Sequence, residues 1–539
     1  MRTPAPRDLS RRRWLQMVPW AAAATNGACR HREARADLIF ISPAEPETLD
    51  PALASDQASG RVITSIFEGL MRWTEAGEAV PGAAAAAPAI SGDGLVFTFH
   101  LRPEARWSNG DPVTAPDFRD SWERLLNPNT GADYVALLHV VKNAKPYSEG
   151  KLTDFSQVGL RALDDLTFEV TLEHPAPYFT DLCALFTLCP VHLRSLRANG
   201  KDWARPGKLI GNGAYQLNEW RINYRLRLDR SESYWDRANV RLRTVEMRTI
   251  NNPVTALNYF LTGAADLTLD KDGVPTTLVD KLGRAPYFHS GPMLASCFMR
   301  FNCAKDGPLK NPKIRQAFGL VLDRRKIVER VTKMGEPPAY SLTPPGCGGG
   351  YRPPQPRALH DLPLARQLLA DAGYPEGRGF PLVTYLYPSR DVDVSLAIEV
   401  QAMWENALGV RILPQKQEWK VYLDSMRKLN YDIARSPWVG DYNDPNTFLD
   451  IFTSDNGNNR TGWKNAVYDE LIRTAAREAD RAKRFEIFRE AEDLLIQREA
   501  VISPVYHYVG VQFYWPEKLG GVQSNLVDEH PFRCMFWKS

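Results

Sequence analysis

The chain has 539 residues, 44% of them hydrophobic and 24% charged, with a formal net charge of +3. That composition excludes a disordered polar chain, and the length exceeds what one hydrophobic core supports, so two or three domains are expected. The basic balance is no argument for a nucleic-acid partner: residues 1–28 hold five Arg and one Asp, which leaves the rest of the chain near −1.

The first element is a targeting segment. Ser10-Arg11-Arg12-Arg13-Trp14-Leu15-Gln16 has the shape of a twin-arginine export signal, and the apolar stretch from Met17 to Ala28 is too short to span a bilayer. Cys29 follows Gly27-Ala28 as in a lipoprotein processing site, although Asn26 stands where an aliphatic residue is expected. Cys29 is therefore a candidate for lipidation and membrane anchoring. Residues 1–37 are read as export signal and tail, and the protein is expected in the periplasm or otherwise outside the cytoplasm. No later run of apolar residues is long enough for a transmembrane helix. Six cysteines follow Cys29, and the 15 pairings they allow cannot be ranked from sequence. Neither Cys183/Cys189 nor Cys297/Cys303 has zinc-finger spacing, so no metal site is expected.

Further along, Leu95, Phe97, Phe99 and Leu101 alternate with polar residues and predict a half-buried strand. Asn109-Gly110 predicts a tight turn. Thr114 or Asp117 then starts a helix to about Leu126, with Phe118, Trp122 and Leu125 on one face. Leu166–Leu172 alternates as a second strand. Pro363–Ala372 and Asp391–Leu408 read as helices stopped by Gly373 and Gly409, and Val410–Leu413 reads as a strand. Arg481–Gln497 carries Phe485, Phe488, Ala491 and Leu495 on one stripe, an amphipathic helix. Residues 341–360, rich in Pro and Gly, predict a linker or a long loop. Strands and helices mix throughout, so the class is α/β or α+β.

Catalytic constellations are missing. The chain has no Gly-x-Ser-x-Gly elbow, no His-Glu-x-x-His and no phosphate loop. Its nine histidines are scattered; His100 falls on the polar face of a strand, and His507 lies between Tyr506 and Tyr508. No cofactor is implied. A binding protein is expected rather than an enzyme, with a secreted hydrolase as the remote alternative.

A resemblance sharpens this reading. Arg106-Trp107-Ser108-Asn109-Gly110-Asp111-Pro112-Val113-Thr114-Ala115-Pro116-Asp117-Phe118 is similar to a recurrent block of family-five solute-binding proteins, which serve ABC importers of peptides, nickel and related solutes. Glu47–Pro51, Ile66–Leu70, Leu163–Leu172, Gly211–Tyr215, Ala317–Arg324, Pro338–Ser341 and Gln417–Lys420 continue it in order. Within the family the chain most resembles the oligopeptide-binding proteins, including the murein-peptide binder. The resemblance implies two lobes closing over a ligand: lobe I from about 38–67, 193–294 and 510–539, lobe II from 295–509, and an extra domain from 68–192. It also implies a short-peptide ligand, an inner-membrane ABC permease as partner, and a monomer. The open alternatives are a murein peptide, another cationic solute, or use of the same fold as a sensor.

The acidic turn Trp438-Val439-Gly440-Asp441-Tyr442-Asn443-Asp444-Pro445 matches the segment in which family members hold a peptide's free amino end. A buried ammonium needs a fixed counter-charge, and the match assigns that role to Asp441. The other reading has Asp441 only shaping a turn while Asp444 caps a helix beginning at Pro445. Trp438, Val439 and Gly440 are expected to lie along the peptide, which binds as an added strand. Tyr134, Trp419, Trp438 and Tyr508 match aromatic pocket positions. Arg435 matches a residue that greets the carboxylate end, whereas Met426, Thr332 and Asp393 replace other such residues. Asp270 and Ser55, with Gln57, complete the candidate ligand-binding set, but Asp270 replaces a family asparagine and Ser55 a family glutamate. Three further departures stand out. A family disulfide would need cysteines at Ala295 and Val439, Leu269 replaces a tyrosine, and Pro437 stands in the peptide-pairing strand without an N–H.

Overall fold

Ten strands make the largest sheet: β1 (Leu38–Ser42), β2 (Tyr215–Arg221), β3 (Arg225–Arg230), β4 (Thr244–Thr249), β5 (Leu267–Thr268), β6 (Phe288–Phe301), β7 (Val383–Pro388), β8 (Ile412–Gln417), β9 (Ile433–Val439) and β10 (Ile502–Phe513). The computed structural model describes residues 34–539 apart from Ala479, so the segment read as an export signal up to residue 33, with Cys29, lies outside the described residues. Across the sheet the order is β8-β7-β9-β6-β10-β5-β1-β4-β3-β2. β1, with the sequence Leu-Ile-Phe-Ile-Ser, lies between the parallel neighbours β4 and β5, and all five of its residues are buried. Such a continuous apolar run is what a strand covered on both faces requires.

Two long strands carry the sheet from one half to the other. β6 and β10 run antiparallel; at one end β10 meets β5, and at the other β6 meets β9. Their register shifts between Pro292 and Ser296, midway between the halves. An irregularity of this kind bends a strand and increases its twist.

A separate antiparallel sheet is formed by Ala89–Ile90, Val96–His100, Thr167–Thr171 and Leu160–Ala162. The alternation read from sequence holds: Phe97, Phe99 and Phe168 are buried and His100 is exposed. The helix Ala115–Leu126 covers this sheet with Phe118, Trp122 and Leu125, and the Trp122 ring meets Phe168 edge-on at 5.3 Å. Each such aromatic side chain contributes roughly 1.5–3 kcal/mol by leaving water. Asp117 ties the helix start, accepting the Thr114 N–H at 2.8 Å and the Trp107 indole N–H at 3.3 Å. The conspicuous Arg106–Phe118 block thus supplies framework here, and its core is continuous with that of the β1 half.

Later elements follow the sequence closely. Helices span Leu362–Asp371, Asp391–Leu408 and Arg481–Asp493, with Gly409 at φ 67° ending the second. The third passes into a wider turn over Leu494–Arg498, so its regular part ends before Gln497. β8 starts at Ile412 rather than Val410 and continues to Gln417, drawn out by parallel pairing with β7. Residues 341–360 form a loop tied to the body. Glu492 accepts the N–H groups of Leu342 and Thr343 at 2.8 and 2.9 Å and the Tyr351 hydroxyl at 2.8 Å. The six cysteines of the described region are free thiols, and Ala295 lies opposite Val439 in the β6–β9 pair.

Candidate functional site

β9 pairs with β6 along its whole length, but with β7 only at Ile433 and Ala434. From Arg435 onward its second edge has no strand beside it among the described residues. The Gly440 N–H donates to Leu294 O at 2.7 Å. Antiparallel alternation then turns the backbone of Trp438 and Ser436 toward β6, and that of Pro437 and Val439 toward the free edge. Pro437 is tolerated for this reason: the N–H it lacks would have faced away from the ladder. The Tyr422 hydroxyl caps the Arg435 carbonyl at 2.7 Å, leaving the Pro437 carbonyl and the Val439 amide on the open edge.

That edge borders a cavity of about 1130 Å³. Tyr134, His139 and Tyr178 line one wall; Trp419, Tyr422 and Met426 line another; Asp441, Asp450, Arg300 and Arg460 supply charge. Trp419 stacks on Tyr422 at 5.3 Å, and the Trp438 indole donates to the Thr447 carbonyl at 2.6 Å. Tyr178 lies flat on Tyr442, ring centroids 4.1 Å apart, and so brings a residue beyond the small sheet against the turn that follows β9.

The turn itself holds Asp441 in place. Its N–H donates to Thr447 Oγ1 at 3.0 Å. A Cβ at position 440 would meet Thr447 Cγ2 at 2.9 Å, so this close approach requires glycine. The Asp441 carboxylate has no ion-pair partner among the described residues, and burial raises its pKa to about 7. Asp450 lies behind it; burial, reinforced by the charges of Asp441 and Asp444, raises its pKa to about 8. Asp444, three positions along, is the opposite case. Arg484 grips it with two bonds of 2.6 and 2.8 Å, and it accepts the Asn446 N–H at 2.9 Å at the start of the short helix Asn446–Leu449. Asp444 is closed by Arg484 and the Asn446 N–H, while the N-cap position itself falls to Pro445; Asp441 faces the cavity.

The cavity wall includes Asp441, Trp438, Val439, Trp419, Tyr134 and Ser55. Gly440 acts through its backbone. Gln57, Asp270, Arg435 and Tyr508 do not line it. The Gln57 amide donates to Asp528 Oδ2 at 2.7 Å, beside an Arg61–Asp528 ion pair of 3.2 Å. Arg435, 1% exposed, pairs with Asp393 at 2.9 Å and donates to the Tyr508 hydroxyl; Arg390 Nε holds the other Asp393 oxygen at 2.8 Å. The arginine expected to greet a carboxylate is therefore neutralised from within the chain, by Asp393, which itself replaces another residue expected at the carboxylate end. His507 also has a structural place: it bonds Ser296 Oγ at 2.8 Å, and burial lowers its pKa to about 3, so it stays neutral.

Sequence reasoning missed Asp450, Arg300, Arg460, Tyr178 and Tyr442. Two of them carried a signal. Arg300 interrupts Phe298-Met299-Arg300-Phe301 and Asp450 interrupts Phe448-Leu449-Asp450-Ile451-Phe452, each a lone charge in an apolar run.

Residues 78–460 match the model of the bacterial extracellular solute-binding proteins, family 5. The chain belongs to this family. The periplasmic murein peptide-binding protein of Escherichia coli is 36% identical over 501 residues, 91% of each chain. The oligopeptide-binding protein of Bacillus subtilis is 34% identical, covering 92% of this chain and 91% of its own. Among solved structures, a periplasmic oligopeptide-binding protein from Borrelia burgdorferi superposes with a TM-score of 0.83 at 31% identity, over 94% of this chain and 100% of that one. The family-five fold, two lobes with an additional domain in a mixed α/β frame, is the fold of this protein.

Proposed function

We propose that this protein is an extracytoplasmic receptor that captures short peptides between its lobes and hands them to an ABC permease. Asp441 carries the reading: a carboxylate without a cation partner among the described residues, at the cavity wall, beside a strand edge that β7 leaves unpaired. A peptide's ammonium supplies the missing charge, and its backbone adds to the free edge of β9 through Val439 and the Pro437 carbonyl. Both contacts ignore side-chain identity. The cavity has room for side chains and bridging water, which suits a ligand class rather than one compound. Relatives named as oligopeptide-binding proteins, and a neighbour named as part of an oligopeptide ABC transporter, support the ligand and the permease partner. A murein peptide is the second reading, favoured by the 36% identical relative.

Within this reading, residues 38–67, 193–294 and 510–539 form lobe I, 295–509 form lobe II and 68–192 the extra domain. The irregular stretch of β6 between Pro292 and Ser296 acts as hinge, and Tyr178 on Tyr442 is a closure contact. The receptor works as a monomer, exported by the N-terminal signal and anchored through Cys29.

Calorimetry with tri-alanine and its N-acetyl form, on the mature protein and on Asp441→Ala, tests the proposal. Binding of the free-amine peptide alone, lost in the variant, is expected. Binding of neither form would sink the peptide reading.

A further inference from the structure

The cavity has a second charged end. Arg300 is 4% exposed, in a strand whose neighbours Phe298, Met299 and Phe301 are fully buried. Its Nη1 donates to the Asn458 carbonyl at 2.9 Å, and its guanidinium lies near the rings of Phe298 and Phe452, at 5.4 and 5.5 Å. Its Nε is buried without a hydrogen-bond partner. Arg460, half-buried, also has an unpartnered Nε; its carbonyl accepts the Tyr431 hydroxyl, and its side chain lines the same cavity. Neither arginine has a carboxylate within ion-pair distance among the described residues. Burial, joined by the like charge of Arg460, lowers the pKa of Arg300.

Other buried arginines of this chain are treated differently. Arg61, Arg435 and Arg484 each hold an aspartate. Arg315 and Arg324 direct their N–H groups to carbonyl and hydroxyl oxygens. Arg300 has one carbonyl partner, but neither it nor Arg460 has a carboxylate among the described residues, and two like-charged guanidinium groups facing one cavity are stable there only where solvent or a ligand anion answers them.

We infer that Arg300 and Arg460 form an anion subsite that takes a carboxylate of the bound peptide. The inference rests on the peptide reading above and deepens it. Strand register sets the spacing. Gly440 opposes Leu294 and Ala434 opposes Arg300, so the acidic turn and the arginine pair lie six strand residues apart along β6, about 20 Å. An extended peptide advances about 3.3–3.6 Å per residue. With its ammonium on Asp441, a peptide of about five residues brings its C-terminal carboxylate to the arginines, while a Glu side chain reaches them from an earlier position. The two sources share one chemistry, and Arg435, paired with Asp393, does not compete for it.

Calorimetry on the wild-type protein separates the sources. Penta-alanine is compared as free acid and as C-terminal amide, and the amide is compared with Glu or Gln at positions two, three and four. One acid is expected to bind about tenfold or more tightly than its uncharged twin. A preference for the free acid assigns the C-terminus, and a preference for one Glu position assigns a side chain. Arg460→Gln and Arg300→Gln should each bring the preferred pair level, and Arg300→Lys should keep part of the preference; melting curves identify any variant that has lost its fold. If every acid binds like its twin while the free amine is still required, the anion subsite is wrong and the peptide reading stands. If no free-amine peptide binds, both fall.

Discussion

Arg435 and Asp441 both occupy the β9 region and both sit in low-dielectric surroundings, yet their charges end differently. Arg435 meets Asp393 at 2.9 Å, with Arg390 and Tyr508 completing the cluster, and is closed to ligand. Asp441 lies at the wall of the cavity with only its backbone N–H anchored, to Thr447. One is a closed charge pair; the other has no ion-pair partner among the described residues, and the proposed function assigns that place to a ligand's ammonium. Family resemblance located both positions, but only the packing distinguishes a closed charge from an open one.

The closed pair should yield the largest effect. Arg435→Met leaves Asp393 buried against Arg390 alone and should cost about 3–5 kcal/mol in denaturant unfolding. Adding Asp393→Leu should recover most of that loss, since a buried pair replaced by apolar side chains is often neutral. A Met variant of unchanged stability would erase the contrast with Asp441. Next in size, Asp441→Asn should weaken free-amine peptides by about 100-fold, near 3 kcal/mol, in calorimetry and leave melting of the ligand-free protein no lower. Third is pH. The pKa of Asp441 is raised to about 7 from an ordinary 3.8, and those of Asp450, Glu492 and Glu529 to about 8, 7 and 7. A raised folded-state pKa favours the fold below the ordinary value and loses that contribution as pH rises through the folded value. The melting temperature of the ligand-free protein should therefore fall between pH 5 and 8, and saturating peptide should reduce the fall. Peptide affinity should weaken below about pH 7, where Asp441 takes up a proton. Smallest is Pro437→Ala, which restores an N–H on the open edge and should tighten peptides by up to about tenfold, one hydrogen bond's worth.

Much of the frame was legible in advance because it depends on local pattern. Phe97 and Phe99 declared their strand by alternation, and Gly409 its helix end. Ala295 and Val439, placed opposite each other by resemblance, are register partners. What sequence could not give depends on partners far along the chain. Gln57 was expected at the ligand and instead bonds Asp528; Arg435 meets an aspartate introduced at position 393. Arg300 and Asp450 were visible as lone charges in apolar runs, but nothing local says that both open into one cavity.

Pro437 has a consequence for contact between copies of this chain. An unpaired strand edge is also a template on which a second copy can stack, the first step toward aggregation. With proline at its centre, the open edge of β9 offers the Val439 N–H but no second donor beside it, too little to hold a neighbour's strand in register. Under the proposed function, a short peptide held by its terminal charges needs less from that edge than an invading strand does. The residue that weakens the resemblance to other peptide-pairing strands therefore also guards the waiting edge against self-association.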